Sequence, residues 1–285
     1  MKMPLVTMKE ILIPARLNKY AVGAFEFWSL DSAQAIVEAA EELNMSVIIQ
    51  AGPWECQYAG IKNLSMIGKA VSDSASIPVA LHLDHGDTFE LAYQAIDAGF
   101  TSVMIDVSHL PYEENVNITK KVVSLAKSAG VTVEAELGRL AGCEASFEIS
   151  EEEAMQTDPD EAERFTNETG IDALAVAIGT AHGFYKYVPR INIDRLKKIA
   201  EKVSIPLVLH GGSGTPDEKI VESIKYGISK VNICTEFVAV FGKTYINTQN
   251  NTDGFKYSVP SLFNPSKAAG KELVWSKIKL FSCKY

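Results

Sequence analysis

Eight short runs of apolar and β-branched residues recur along the chain, at 21–27, 46–52, 78–84, 102–108, 132–138, 173–179, 206–212 and 230–236. Each is nearly continuously hydrophobic, and strands of that kind have to be covered on both faces. The stretches between them carry helical spacing instead. Ala33, Ile36, Val37, Ala40 and Leu43 form one apolar stripe, and Leu196, Ile199 and Ala200 form another. The order is therefore strand, helix, strand, helix throughout. Eight such units in 285 residues predict a closed (β/α)8 TIM barrel of the α/β class, spanning residues 1–285 as one domain. An open dinucleotide-binding sheet fits less well, because no Gly-x-Gly-x-x-Gly follows the first run.

Composition bounds the partners. With 47% hydrophobic and 22% charged residues, the chain can bury a large core and has no bias towards disorder. A formal charge of −9 without any Lys/Arg cluster argues against nucleic acid and anionic membrane surfaces, which require a basic footprint. An anionic ligand would have to be met locally. Residues 1–19 lack the apolar segment of a secretory signal, and no run approaches the roughly 18 apolar residues of a membrane span. Cys56, Cys143, Cys234 and Cys283 are scattered and read as reduced thiols, so a soluble cytoplasmic protein is expected. Two segments break the rhythm, 139–157 and 242–265. Both read as mobile loops, the first a candidate lid over an active site, the second a connection to a helical tail after residue 260.

Polar residues collect where strands end. The third run closes on His82-Leu83-Asp84-His85-Gly86, the sixth leads into Thr180-Ala181-His182-Gly183, and the seventh ends on His210-Gly211-Gly212-Ser213-Gly214. In a barrel these ends converge on one face, so His85, His182 and His210 can meet although they are far apart in sequence. A lone histidine is usually a hydrogen-bonded core residue, but three at equivalent positions predict a zinc site with an open coordination position. Strand alternation places His82, three steps before His85, on the other side of its strand, as a packing residue or a partner of a ligand. His109 has no such support. Asp84 can serve as a proton carrier beside the metal or as the group that orients a bound imidazole. The glycine-rich turn after the seventh run, with Asn232-Ile233-Cys234-Thr235 on the eighth, presents backbone N–H groups where barrels commonly bind phosphate.

At these residues the sequence resembles the class II, metal-dependent ketose-bisphosphate aldolases, which include the fructose- and tagatose-1,6-bisphosphate enzymes. The resemblance also runs through Tyr20-Ala21-Val22-Gly23-Ala24-Phe25, Ser102-Val103-Met104-Ile105-Asp106, Val133-Glu134-Ala135-Glu136-Leu137-Gly138 and Lys230-Val231-Asn232-Ile233-Cys234-Thr235, in order and over nearly the whole chain. It implies a carbon–carbon lyase that splits a phosphorylated ketose into dihydroxyacetone phosphate and an aldehyde. It implies that His85, His182 and His210 hold Zn2+, that Asp84 gives the proton to the aldehyde-derived oxygen, and that Glu144 moves the proton at the nucleophilic carbon. Gly183, Gly211, Gly212, Ser213, Asn232, Ile233, Cys234 and Thr235 are then the substrate-binding residues. Asp106 and Glu136 are partners of the ligands or a second metal position. A monovalent cation, Na+ or K+, near the glycine turn and a homodimer or homotetramer also follow from the resemblance. Zinc stabilises the developing anion electrostatically, so no lysine nucleophile is needed.

The sequence departs from that family at particular places. Phe25-Glu26 stands where Phe-Asn is usual, and Ala51-Gly52-Pro53-Trp54 where a serine-bearing turn is common. Glu144-Ala145 replaces an acidic pair, and Val259-Pro260-Ser261 stands for Asp-Pro-Arg. Asn232-Ile233-Cys234-Thr235 is closer to the tagatose type than to the fructose type. The expectation is weaker cleavage of fructose 1,6-bisphosphate than of another ketose phosphate, because a carboxylate is gained and an arginine lost near the distal group. Two other readings are a different zinc barrel enzyme, such as a hydrolase, and a silent barrel acting as a partner subunit. The first lacks the usual His-x-His on strand one, and the second would not be expected to retain Asp84 and all three histidines.

Overall fold

A computed structural model describes residues 5–138, 142–143, 148–149, 156–183 and 189–283. All eight runs form parallel strands: β1 (Val22–Glu26), β2 (Val47–Ala51), β3 (Val79–Gly86), β4 (Ser102–Ile105), β5 (Thr132–Leu137), β6 (Ala173–Val176), β7 (Leu207–Leu209) and β8 (Ile228–Ile233). Each pairs with its neighbours in sequence, and β1 pairs with β8 to close the barrel. Every strand residue except His85 is buried, because helices cover the outer face of the sheet and the barrel interior covers the inner one. Among the described residues no helix is long and apolar enough to cross a membrane.

Two apolar clusters mark the two faces of the sheet. Phe25, Ile49, Leu81, Leu83, Val103, Val133, Val231 and Ile233 belong to the cluster shared with the surrounding helices. Ala24, Ile48, Ala80, Met104, Ala173, Ala175 and Val208 belong to an inner cluster with Met8, Ile11, Leu12 and Ala15 of the N-terminal helix α1 (Met8–Asn18). Helix α1 therefore plugs the end of the barrel where the strands begin. It is held there by Val6 N–H donating to the Val79 carbonyl at 3.0 Å and by Lys9 N–H donating to Thr132 Oγ1 at 3.1 Å. Above this apolar floor the inward positions turn polar: Glu26, Gln50, His82, Asp84, Ser102, Glu134, Lys230 and Asn232 are all buried.

The remaining helices are α2 (Leu30–Glu42), α3 (Pro53–Ala59), α4 (Ile61–Ser74), α5 (Phe89–Ala98), α6 (Tyr112–Ala129), α7 (Pro159–Thr169), α8 (Ile193–Lys202), α9 (Asp217–Lys225), α10 (Thr235–Asn251) and α11 (Val259–Phe281). Residues 242–265 differ from the sequence expectation, since α10 and the start of α11 replace most of the loop. The Asn- and Thr-rich side of α10 is largely exposed, whereas Phe237 and Phe241 are buried with ring centroids 5.6 and 5.3 Å from Trp28. Tertiary packing of two aromatic rings outweighs the weak helix propensity of the polar run. Helix α11 also packs along α2, where Lys267 reaches Glu38 at 2.6 Å and Lys271 reaches Glu42 at 2.8 Å. It is part of the outer ring. Most of segment 139–157 lies outside the described residues; within it Gly142–Cys143 pairs antiparallel with Glu148–Ile149.

The β3–β4 ladder shifts register between Leu83 and Gly86, and His85 adopts φ 44 within that irregularity. Alternation breaks down here: His82, expected on the other side of the strand from His85, also points inward at 0% exposure, because the shift lets His85 reach the barrel mouth without the reversal that three regular steps would give. Gly86 follows because a Cβ there would lie 2.6 Å from the Met104 carbonyl oxygen and 2.8 Å from a Leu83 methyl. Gly86→Ala should therefore cost about 1–3 kcal/mol through overpacking. Equilibrium urea unfolding of the two proteins measures it, and an unchanged midpoint would count against the close approach.

Candidate active site

The C-terminal ends of the strands open on a cavity of about 260 Å³ lined by Glu26, Trp54, Glu55, Asp84, the His85 and His182 imidazoles, and backbone of the glycine turn. Of the residues predicted from sequence, Asp84, His85, His182, Gly183, Gly211, Ser213, Asn232, Cys234 and Thr235 all face it. His210 lies beneath, fully buried. Two predicted residues take other positions. The Ile233 side chain points outward into the helix-facing core, so only its backbone stays near the mouth. Gly212 packs on β8, where a Cβ would meet the Asn232 carbonyl oxygen at 2.7 Å. Glu144 lies outside the described residues.

One ring nitrogen each from His85, His182 and His210 lies within 4.8 Å of the others. Carboxylates behind two of these rings set their tautomers. Asp106 Oδ2 is 2.7 Å from His85 Nδ1, and Glu134 Oε1 is 2.8 Å from His210 Nε2. A carboxylate can only accept, so the proton sits on those nitrogens and leaves His85 Nε2 and His210 Nδ1 unprotonated. These two atoms face each other at 2.7 Å. Two unprotonated nitrogens directed at one point, with a His182 ring nitrogen within 4.8 Å, suit a shared cation beside them, and nitrogen donors suit a borderline metal such as zinc. The residues fit the metal that the fold and the chemistry imply.

Burial, followed by the neighbouring charge of His85, pushes His210 well below the usual imidazole range, which keeps it in the neutral form that a ligand needs. Burial acts first on His82 too, with Lys230 next, and lowers it in the same way. Its Nδ1 is 2.7 Å from Ser102 Oγ. Burial alone would raise the Asp106 carboxyl, yet its hydrogen bonds to His85 and to the Ser108 backbone and the charge of His85 hold it well below the carboxylate range. Asp106 and Glu136 also form a second three-residue group with His85. Asp84 makes no hydrogen bond to a ligand ring; it accepts from Gln50 Nε2 at 2.7 Å and from Asn232 Nδ2 at 3.0 and 3.1 Å.

Sequence reasoning missed Glu134, Lys230, Gln50 and Glu55. Lys230, fully buried, donates to Glu134 at 2.8 Å and lies 3.9 Å from Asp84. The signal was present in Val133-Glu134-Ala135 and Ser229-Lys230-Val231, where a charge interrupts a strand that must be covered on both faces.

Residues 6–285 match the family model described as Fructose-bisphosphate aldolase class-II. The chain belongs to that family. Membership makes it a class II aldolase, an enzyme of the carbon–carbon lyase type. The fructose-bisphosphate aldolase of Staphylococcus aureus strain N315 is 44% identical over 282 residues, covering 98% of both sequences. That of Helicobacter pylori strain J99 is 41% identical over 300 residues, covering 97% of both. Among solved structures, the YdjI aldolase of Escherichia coli K12 superposes with a TM-score of 0.87 at 33% identity over 98% of both chains. The aldolase can be tested for the role of its carboxylate-anchored imidazoles. Asp106→Ala should lower affinity for divalent metal about 10–100-fold while leaving the far-ultraviolet circular dichroism unchanged. Competition against a chromogenic chelator reads the affinity, and equal affinities would remove Asp106 from that role.

Proposed function

We propose that this aldolase uses zinc to cleave, reversibly, a ketose phosphate into dihydroxyacetone phosphate and an aldehyde. His85, His182 and His210 hold the ion, the reading supported above all by the two carboxylate-fixed, unprotonated nitrogens facing each other at 2.7 Å. When bound, the ion supplies Lewis acidity that stabilises negative charge on oxygens beside the carbon that loses its partner.

Asp84 is the proton carrier at the aldehyde-derived oxygen. In cleavage it takes the proton of the hydroxyl beside the breaking bond, and in condensation it returns it. The alternative role, orienting an imidazole, is already filled by Asp106 for His85 and by Glu134 for His210. Amide donors from Gln50 and Asn232 hold the Asp84 carboxylate at the cavity wall. Glu144 carries the proton at the nucleophilic carbon by family resemblance.

The phosphate of the dihydroxyacetone half lies at the glycine turn and the start of α10. Backbone N–H groups at an N-terminus of a 17-residue helix favour an anion there. Gly183 at φ 88 and Gly211 at φ 66 bend the β6 and β7 loops, and a Cβ on Gly211 would run into the Ala181 carbonyl beside His182. The monovalent cation and the two- or four-copy assembly expected from the family belong to this reading as well.

Chelation should abolish activity and zinc should restore it, whereas borohydride with substrate should trap no adduct. Lys230 is the lysine inside the barrel among the described residues, and its Nζ is committed to Glu134 below the cavity floor. A borohydride-stable adduct would overturn the mechanism. Asp84→Ala should keep its zinc and lose about 10²–10⁴-fold in kcat. Loss of zinc with full activity per bound ion would instead make Asp84 an orienting group.

A further inference from the structure

The rim formed by β1 and the β2–α3 turn carries a feature that the aldolase reading leaves unused. Glu26 ends β1 at 3% exposure and is paired in register with Gln50 of β2. The Gly52 N–H donates to two carboxyl groups at once, Glu26 Oε1 at 2.6 Å and Glu55 Oε2 at 3.1 Å. Gln50 Nε2 then joins Glu26, at 3.2 Å, to Asp84, at 2.7 Å. Glu26 and Glu55 thus form a carboxyl pair in the cavity wall, one amide away from the proton carrier.

We infer that Glu26 and Glu55 form the subsite for the aldehyde-derived half of the substrate, and that this half is an uncharged polyhydroxylated chain, so the substrate class is ketose 1-phosphates without a second anionic group. The inference rests on the reading of the cavity as an aldolase site. Two observations carry it. First, the described residues lining the cavity include three carboxyl groups, Glu26, Glu55 and Asp84, and neither lysine nor arginine. A second phosphate on this side would meet the Glu55 and Asp84 carboxylates, with no guanidinium or ammonium among the described lining residues to offset them. Second, Asn232 lines the same cavity at 6% exposure, and its Oδ1 has no hydrogen-bond partner. With its amide hydrogens directed to Asp84, Asn232 offers this side no donor for a phosphate oxygen.

The protonation of Glu26 agrees with this geometry. Burial, then the charges of Glu55 and Asp84, raises the Glu26 carboxyl well above the carboxylate range. A carboxyl that keeps its proton both donates and accepts, which matches a hydroxyl and gives nothing extra to a dianion. Trp54, 55% exposed on the same rim, offers an apolar face to the carbon side of such a chain.

The test compares kcat/KM for fructose 1-phosphate and tagatose 1-phosphate with the corresponding 1,6-bisphosphates, in the zinc-loaded wild type and in Glu26→Gln and Glu55→Gln. Solvent deuterium exchange into dihydroxyacetone phosphate, followed by NMR, runs alongside because it requires no aldehyde half. The wild type should favour the 1-phosphates at least about tenfold, equivalent to ~1.4 kcal/mol of transition-state stabilisation. Glu55→Gln should narrow that ratio by lowering KM for the bisphosphates, and Glu26→Gln should narrow it by raising KM for the 1-phosphates. Exchange with a wild-type preference for a bisphosphate, or a ratio that neither variant moves, overturns the subsite and leaves the aldolase intact. Absence of exchange overturns the aldolase reading and the subsite with it. Glu55 is only partly buried, so its variant and the wild-type ratio decide the matter should Glu26→Gln fail to fold.

Discussion

Glu134 sits at the centre of the barrel, fully buried, with Lys230 Nζ at 2.8 Å on one oxygen and His210 Nε2 at 2.8 Å on the other. A carboxylate in such a place is tolerated only when its charge is matched and its lone pairs are used. Lys230 provides the charge, and the imidazole uses the second oxygen. The same contact that makes the carboxylate tolerable decides which nitrogen of His210 is bare. Removing Lys230 would leave an uncompensated anion, and removing Glu134 would free the imidazole to turn. The ligand geometry at the mouth is therefore anchored by an ion pair below it.

That ion pair needs room, and small residues provide it. Ala24, Ala80, Ala173 and Ala175 form the apolar floor together with Ile48, Met104 and Val208, and the α1 helix seals it from the end where the strands begin. Between floor and mouth lies a layer of Gln50, His82, Ser102, Glu134 and Lys230. The interior thus passes from apolar packing through a closed hydrogen-bonded layer to the open cavity. Each level restrains the side chains above it, which is what holds a metal site to fixed positions.

The mouth is asymmetric in charge. The side formed by the β7 turn and the start of α10 presents glycine backbone and a helix N-terminus, both favourable to an anion. The side formed by β1 and the β2–α3 turn presents Glu26, Glu55 and Trp54. Asp84 stands between the two. A substrate with one anionic end and one neutral hydroxylated end matches that polarity. The family name carried by the relatives describes a substrate with two anionic ends, and this difference is concentrated in a few rim residues on a shared barrel.

The amino-acid sequence alone determined the closed barrel, because eight doubly covered apolar strands alternating with amphipathic helices leave few other arrangements. It also placed His85, His182 and His210 on one face, since every strand end in such a barrel points the same way. The polar run at 242–265 was misleading, as helix formation there depends on Phe237 and Phe241 meeting Trp28, a contact between distant segments. His82 was misplaced by alternation for a related reason: a register shift arises from how β3 meets β4 and is not written in either strand. Glu134, Lys230 and Gln50 stood in the sequence as polar residues inside apolar runs, but their partners could not be read there. Which carboxylate holds which imidazole, and that Glu26 and Glu55 share one N–H, was decided only by the tertiary structure. Those contacts join residues distant in sequence, such as Lys230 and Glu134, 96 positions apart, and hydrogen-bond geometry exists only once the barrel has closed.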